Sequence, residues 1–193
     1  MPKIDAPTVA EHHSKRRAAL LAAGGDLLAS GGVDAVTLAG VGAATGLARS
    51  SVYQYFDSAP ALLAAVVEDV FPRSTRTLRS AVDRAATPSD KVDAYVVTAL
   101  GLAADASHRS LYALAGATLP EHCRARIVEL HEEHFAPLRE AVAELGVADP
   151  ALSTRLLLGV LQSATQAVVE GAPKARVTRE VLAFVHEGIA GPA

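Results

Sequence analysis

The chain has 193 residues, enough for one large domain or a small one fused to a medium one, and long enough to bury a sizeable core. Half of it (50%) is hydrophobic, 20% is charged and the mean hydropathy is +0.25, which excludes intrinsic disorder for the chain as a whole. Net charge is −3, yet residues 1 to 60 hold five basic and five acidic groups, so neither half is a polycation. Any contact with nucleic acid would rest on a small cationic patch, and Lys15, Arg16 and Arg17 form the one cluster near the start.

A single cysteine, Cys123, excludes an intramolecular disulfide and lacks the paired spacing of a structural zinc site. The N-terminus has no apolar signal core, and Asp26, Asp105, Arg155 and Gln162 interrupt the longest apolar runs. A cytoplasmic protein with no membrane contact is expected.

Apolar residues recur at spacings of three and four, and aromatic residues are scarce, so the expected fold is all-α. Residues 1 to 13, with Pro2 and Pro7, read as a flexible arm. A first helix is expected over residues 14 to 30, ended by Gly31 and Gly32. Thr37 is suited to cap a second short helix over 38 to 44. Thr45 and Gly46 then make a turn before a third helix over 49 to 55. Asp57, Ser58 and Pro60 open a fourth helix that should stop at Pro72, and further helices are expected over 73 to 86, 88 to 105 and 108 to 118. The register of Ile127, Leu130, His134, Leu138, Ala141 and Leu145 predicts one long helix through Pro137 from 120 to 145. Asp149 and Pro150 start another to about 170, and Thr178 caps a last one to 189. The expected division is the arm, a small helical unit over 14 to 58, and a larger helical unit over 59 to 193.

The segment from Thr37 to Leu63 has the pattern of a helix-turn-helix, with Leu38, Val41, Leu47 and Val52 spaced to form its core and Gly46 permitting the turn. Arg49, Ser50, Tyr53 and Gln54 fall on the exposed side of the third helix, where they suit phosphates and base edges. Arg49 is the sole formal cation between Arg17 and Arg73. Ala22 and Ala23, Thr37, Val41, Gly46 and Leu47, Ser51 to Tyr53, Tyr55, Phe56 and Leu62 together resemble the TetR family of bacterial transcriptional regulators. The resemblance implies a ligand-responsive regulator, most often a repressor, that binds a palindromic double-stranded DNA operator as a homodimer and is released by a small-molecule effector. It places Lys15, Arg16, Arg17, Thr37, Arg49, Ser50, Ser51, Tyr53, Gln54 and Tyr55 at the DNA. Three residues depart from the family pattern: Ala48 where a serine usually caps the recognition helix, Gly42 where alanine is usual, and Ala59 where a lysine commonly binds phosphate.

The resemblance also implies an effector cavity among the fifth to eighth helices. Polar groups set among apolar ones make Tyr95, Thr98, His108, Tyr112, Gln162 and Gln166 the cavity candidates, Tyr112 foremost. It implies further that the last two long helices pair across a two-fold axis, with His134, Leu138, Leu156, Val160, Ala164 and Ala167 at the dimer interface. His131 and His134 are three apart, which is not the spacing of a helical zinc protease, so no metal is expected. Without a nucleophile elbow or a phosphate loop, neither catalysis nor a cofactor is expected. The competing reading is an all-helical ligand carrier or interaction module with a degenerate DNA-binding head.

Overall fold

Alanine and leucine at helical spacing carry the chain from helix to helix, and no strand occurs among the described residues. The computed structural model describes residues 9–104 and 121–188. Helix α1 spans Val9–Gly31, α2 Leu38–Thr45, α3 Arg49–Val52 and α4 Ala59–Asp83; α5 spans Pro88–Ala104, α6 Glu121–Glu144, α7 Pro150–Val169 and α8 Lys174–Gly188. A 3-10 turn, Val33–Ala35, joins α1 to α2. The helix expected over 108 to 118 lies outside the described residues.

Side-chain oxygens satisfy the first backbone donors of several helices. Thr37 accepts from the Gly40 N–H at 2.9 Å, Ser58 from Ala61 at 3.2 Å and Asp149 from Leu152 at 2.9 Å. Thr87 and Asp90 form a reciprocal pair at the start of α5, each side chain accepting from the other's backbone N–H at 3.1 and 3.3 Å. Such caps contribute about 1 kcal/mol each. Gly46, at φ 69°, closes α2 in the left-handed region that glycine favours.

Four elements differ from the sequence expectation. First, α1 begins at Val9, because no proline follows Pro7 to bar a helix there, so residues 9 to 13 of the expected arm are helical. Second, α3 is only Arg49–Val52, and residues 53 to 55 continue as turns, with Tyr55 N–H bonded to the Val52 carbonyl at 2.9 Å. Third, α4 does not stop at Pro72 but runs through it. The stripe Leu62, Val66, Phe71, Leu78 and Val82 is buried on both sides of the proline. The acceptor that the missing Pro72 N–H leaves unmatched belongs to Glu68, an exposed residue. Fourth, α8 starts at Lys174 and contains Thr178 rather than being capped by it, because the Pro173 carbonyl already accepts from Arg176 and Val177.

Two hydrophobic cores result. One gathers Leu20, Leu28, Val41, Val52, Phe56, Leu62, Val66 and Phe71 from α1 to α4, together with Ile127 and Leu130 of α6. The other gathers Leu78 and Val82 of α4 with Val92, Tyr95, Leu100, Leu138, Val142, Leu157, Leu161, Val181 and Val185 from α5 to α8. Leu62, Leu63, Val66, Val67 and Phe71 therefore belong to the core of the DNA-binding unit as well as to the helix that leaves it. The expected boundary at 58 and 59 cuts through one core. At Gly24 an added Cβ would stand 2.5 Å from Val66 Cγ2, so α1 and α4 approach as closely as a glycine permits.

Candidate nucleic-acid interface and ligand cavity

Helices α2 and α3 meet through a tight turn: the Leu47 N–H donates to the Gly42 carbonyl at 2.8 Å, and a Cβ on Gly42 would lie 2.8 Å from the Leu47 oxygen. Gly42 is thus the residue that lets the turn close. Ala48 stands at the N-cap of α3 with no side-chain bond, leaving the first amides of that helix without a capping oxygen. Val52 is fully buried, which turns Arg49, Ser50, Tyr53 and Gln54 outward. Arg49 Nη2 donates to the Tyr53 hydroxyl at 3.2 Å and its guanidinium lies 5.7 Å from that ring's centre, so the two side chains present one cationic, hydroxyl-bearing edge.

Other expected DNA contacts are placed differently. The Thr37 hydroxyl is occupied as a cap, and Ser51 is half-buried. Tyr55 packs on the core and stacks with His13, ring centres 4.5 Å apart, which makes it a packing residue more than an open contact. Arg17 lies over the Phe56 ring at 5.6 Å. These two contacts bring the first turns of α1, with exposed Lys15 and Arg16, to the C-terminal end of the recognition turn. His13 had no sequence signal of its own, since it acts through a partner forty-two residues away in the chain.

Below this head a cavity of about 410 Å³ opens between α4, α5, α6 and α7. Phe71, Tyr95, Leu158 and Leu161 give it apolar walls, and Tyr95 donates to the His134 carbonyl at 3.4 Å. His134 is buried with its Nδ1 3.2 Å from Thr75 Oγ1. Burial, followed by the nearby His131, lowers its pKa to about 4, so the ring is neutral near pH 7. The His131 pKa is also lowered by burial, and its ring lies parallel to that of Phe135, 5.6 Å away.

Of the residues expected in the cavity, Tyr95 and Gln162 line it. Thr98 does not, and Gln166 instead faces outward, bonded to Glu170 at 2.7 Å. His108 and Tyr112 lie outside the described residues. Sequence reasoning missed His131, Phe135, Arg155 and Thr165 as cavity residues. His134 and Leu138 were expected at a dimer interface, but both are buried inside this chain, one against the cavity and the other in the second core. Helix α6 turns that face toward α4 and α5, which cover it. The remaining interface candidates keep an outward path: Leu156 is 61% exposed, and Val160, Ala164 and Ala167 line an apolar groove with Val181 and Phe184 of α8.

A short two-helix reading unit with an outward cationic edge, joined by a long helix to an all-helical body, defines a helix-turn-helix DNA-binding protein. Residues 20–66 match the family model for bacterial regulatory proteins of the tetR family, and the chain is a TetR-family DNA-binding transcription regulator. Among solved structures it is similar to the fatty acid degradation regulator FadR from Bacillus halodurans, at 18% identity and TM-score 0.77 over 92% of this chain and 97% of that one. FadR from Bacillus subtilis in complex with stearoyl-CoA is 17% identical, with TM-score 0.75 over 89% and 98%. AibR in complex with isovaleryl coenzyme A and operator DNA is 16% identical, with TM-score 0.75 over 92% and 100%. These likenesses are of fold. No curated protein sequence matches the chain. Among the described residues no helix is long and apolar enough to cross a membrane, and no cluster of ligands fit for a metal ion occurs.

Proposed function

We propose that the protein is a ligand-responsive repressor: a homodimer that binds a palindromic DNA operator and releases it when a small molecule fills the cavity, acting in the cytoplasm. The observation that carries this reading is the double position of Phe71. It forms part of the cavity wall and is a member of the head's core, so a ligand pressing on it acts directly on the packing that holds the recognition helix. Ile127 and Leu130 on α6 belong to the same core, one turn from the cavity residues His131 and His134. Dimerisation through the α7 and α8 groove is supported by its apolar lining and by exposed Leu156 and Phe184 on the same two helices.

The test is a mobility-shift titration of duplex DNA flanking the protein's own gene, with and without candidate effectors. Specific, salt-sensitive retardation that an effector reverses is expected. A folded protein that binds a ligand yet shows no preference for any flanking duplex over random DNA would favour a carrier or interaction module instead.

A further inference from the structure

The charge of the cavity lining is lopsided. Among its described residues there is no Asp or Glu, the two histidines are held toward neutrality by burial, and Arg155 at the rim supplies the one formal charge. Elsewhere in the body Arg79 pairs with Glu140, Lys91 with Glu144 and Arg139 with Glu132. Arg155 has no ion-pair or hydrogen-bond partner among the described residues. A guanidinium on the mouth of an apolar cavity is suited to a planar two-oxygen anion, which it can meet with two parallel N–H bonds.

The same helix supplies a second polar end. Gln162 lies two turns beyond Arg155 and on the same face, about 10 Å along the axis at 1.5 Å per residue. The adjoining Thr165 lines the cavity, is 4% exposed, and has a hydroxyl with no hydrogen-bond partner among the described residues. Between the two ends the walls are Leu158, Leu161 and Phe71. The volume is near the lower end of the ~300–1,000 Å³ usual for small-molecule pockets.

We propose that the cavity binds a compact monocarboxylate, its carboxylate at Arg155 and an apolar body about 10 Å long reaching toward Gln162 and Thr165. This rests on the reading of the cavity as the effector site. Recognition is by charge at the mouth and by shape within, so an amide of the same skeleton, which lacks the charge, is discriminated against. A nucleotide-linked thioester places no free carboxylate at the arginine, and it is the competing class.

The test uses the full-length protein and isothermal titration with octanoate and 4-phenylbutanoate, their amides, and octanoyl coenzyme A. Wild type is expected to bind at least one acid more tightly than its amide by about 10-fold or more, the range of a charge-assisted bond. Arg155→Gln is expected to bring acid and amide within about 3-fold of each other with the amide affinity unchanged. Arg155→Lys should restore part of the preference. Thermal unfolding of each variant checks that the fold persists, and Arg155 is exposed enough that it should. The proposal is overturned if acids and amides bind alike, if Arg155→Gln keeps the preference, if only the thioester binds, or if neither acid binds. Operator retardation without any added ligand is measured in parallel. If it is seen while the acids fail, the ligand class is wrong and the DNA-binding reading stands; if it is absent while the acids bind, the reverse holds.

Discussion

Replacing Gly24 with alanine tests whether α1 and α4 touch as closely as the structure has them. In an open helix the change would stabilise by about 0.8–1.0 kcal/mol, because alanine restricts the unfolded chain and favours helix. Here the new methyl would sit 2.5 Å from Val66 Cγ2, on a fully buried β-branched side chain that has few rotamers to retreat into. Overpacking of that kind costs about 1–3 kcal/mol, so the net expectation is a loss of about 0–2 kcal/mol. The cycle with Val66→Ala separates the two contributions. In that background the space is free, and Gly24→Ala should stabilise by up to about 1 kcal/mol, giving a coupling energy of about 1–3 kcal/mol between the positions. Urea unfolding followed by circular dichroism on the four proteins supplies all the quantities. Equal stabilisation by Gly24→Ala in both backgrounds would refute the close approach of α1 and α4.

Arg49→Ala should cost about 1–3 kcal/mol in operator affinity if the side chain reads a base, or lower the salt slope by about one if it holds a phosphate; a folded variant with neither change removes Arg49 from the interface. Val160→Glu puts a charge in the α7 and α8 groove and should give monomers in sedimentation, whereas a dimer of native stability would place the interface elsewhere. Pro72→Ala should raise stability by about 1–3 kcal/mol, since it restores a donor inside α4; an unchanged or lowered midpoint would mean that the ring's packing outweighs the missing bond. The His134 pKa is about 4 in the fold against an ordinary 6.5, so the unfolded chain takes up the proton first as pH falls. Stability should be complete above about pH 6.5 and decline by roughly 3 kcal/mol toward pH 4. His134→Gln should flatten that part of the profile in urea titrations at pH 7.5 and pH 5, and an equally steep decline in the variant would assign the effect to other groups.

What could be read from the sequence was what local chemistry decides. Thr37, Asp149 and Gly46 act on backbone groups within a few residues, and each does in the fold what its position implied. The recognition face was legible for the same reason, because burying Val52 leaves Arg49 and Tyr53 no other side of so short a helix. Pro72 misled, since a breaker's cost of about 3 kcal/mol is outweighed by a stripe of large apolar side chains on both sides of it. The cavity was only partly legible. Periodicity put His134 on a buried face, but nothing in the spacing said that the face meets Thr75, fifty-nine residues earlier, instead of a second subunit. Thr98 and Gln166 show the converse, because a polar residue among apolar ones marks a cavity only if its own turn points there.

Phe71 is the thirteenth of the twenty-five residues of α4, so the cavity touches that helix at its midpoint. Each half is about 18 Å long at 1.5 Å per residue. A rod held at its Asp83 end by the body core and pushed at its centre is a lever: the end at Ala59 moves in the same sense as the point pushed and about twice as far. A tilt of about 5° about the Asp83 end would carry the end at Ala59, about 36 Å away, through roughly 3 Å, the length of a hydrogen bond. In the proposed homodimer two such ends span successive major grooves about 34–36 Å apart, a distance that the DNA itself sets. The missing backbone bond at Pro72 lies next to the point pushed, which makes the helix most compliant where the ligand would press on it.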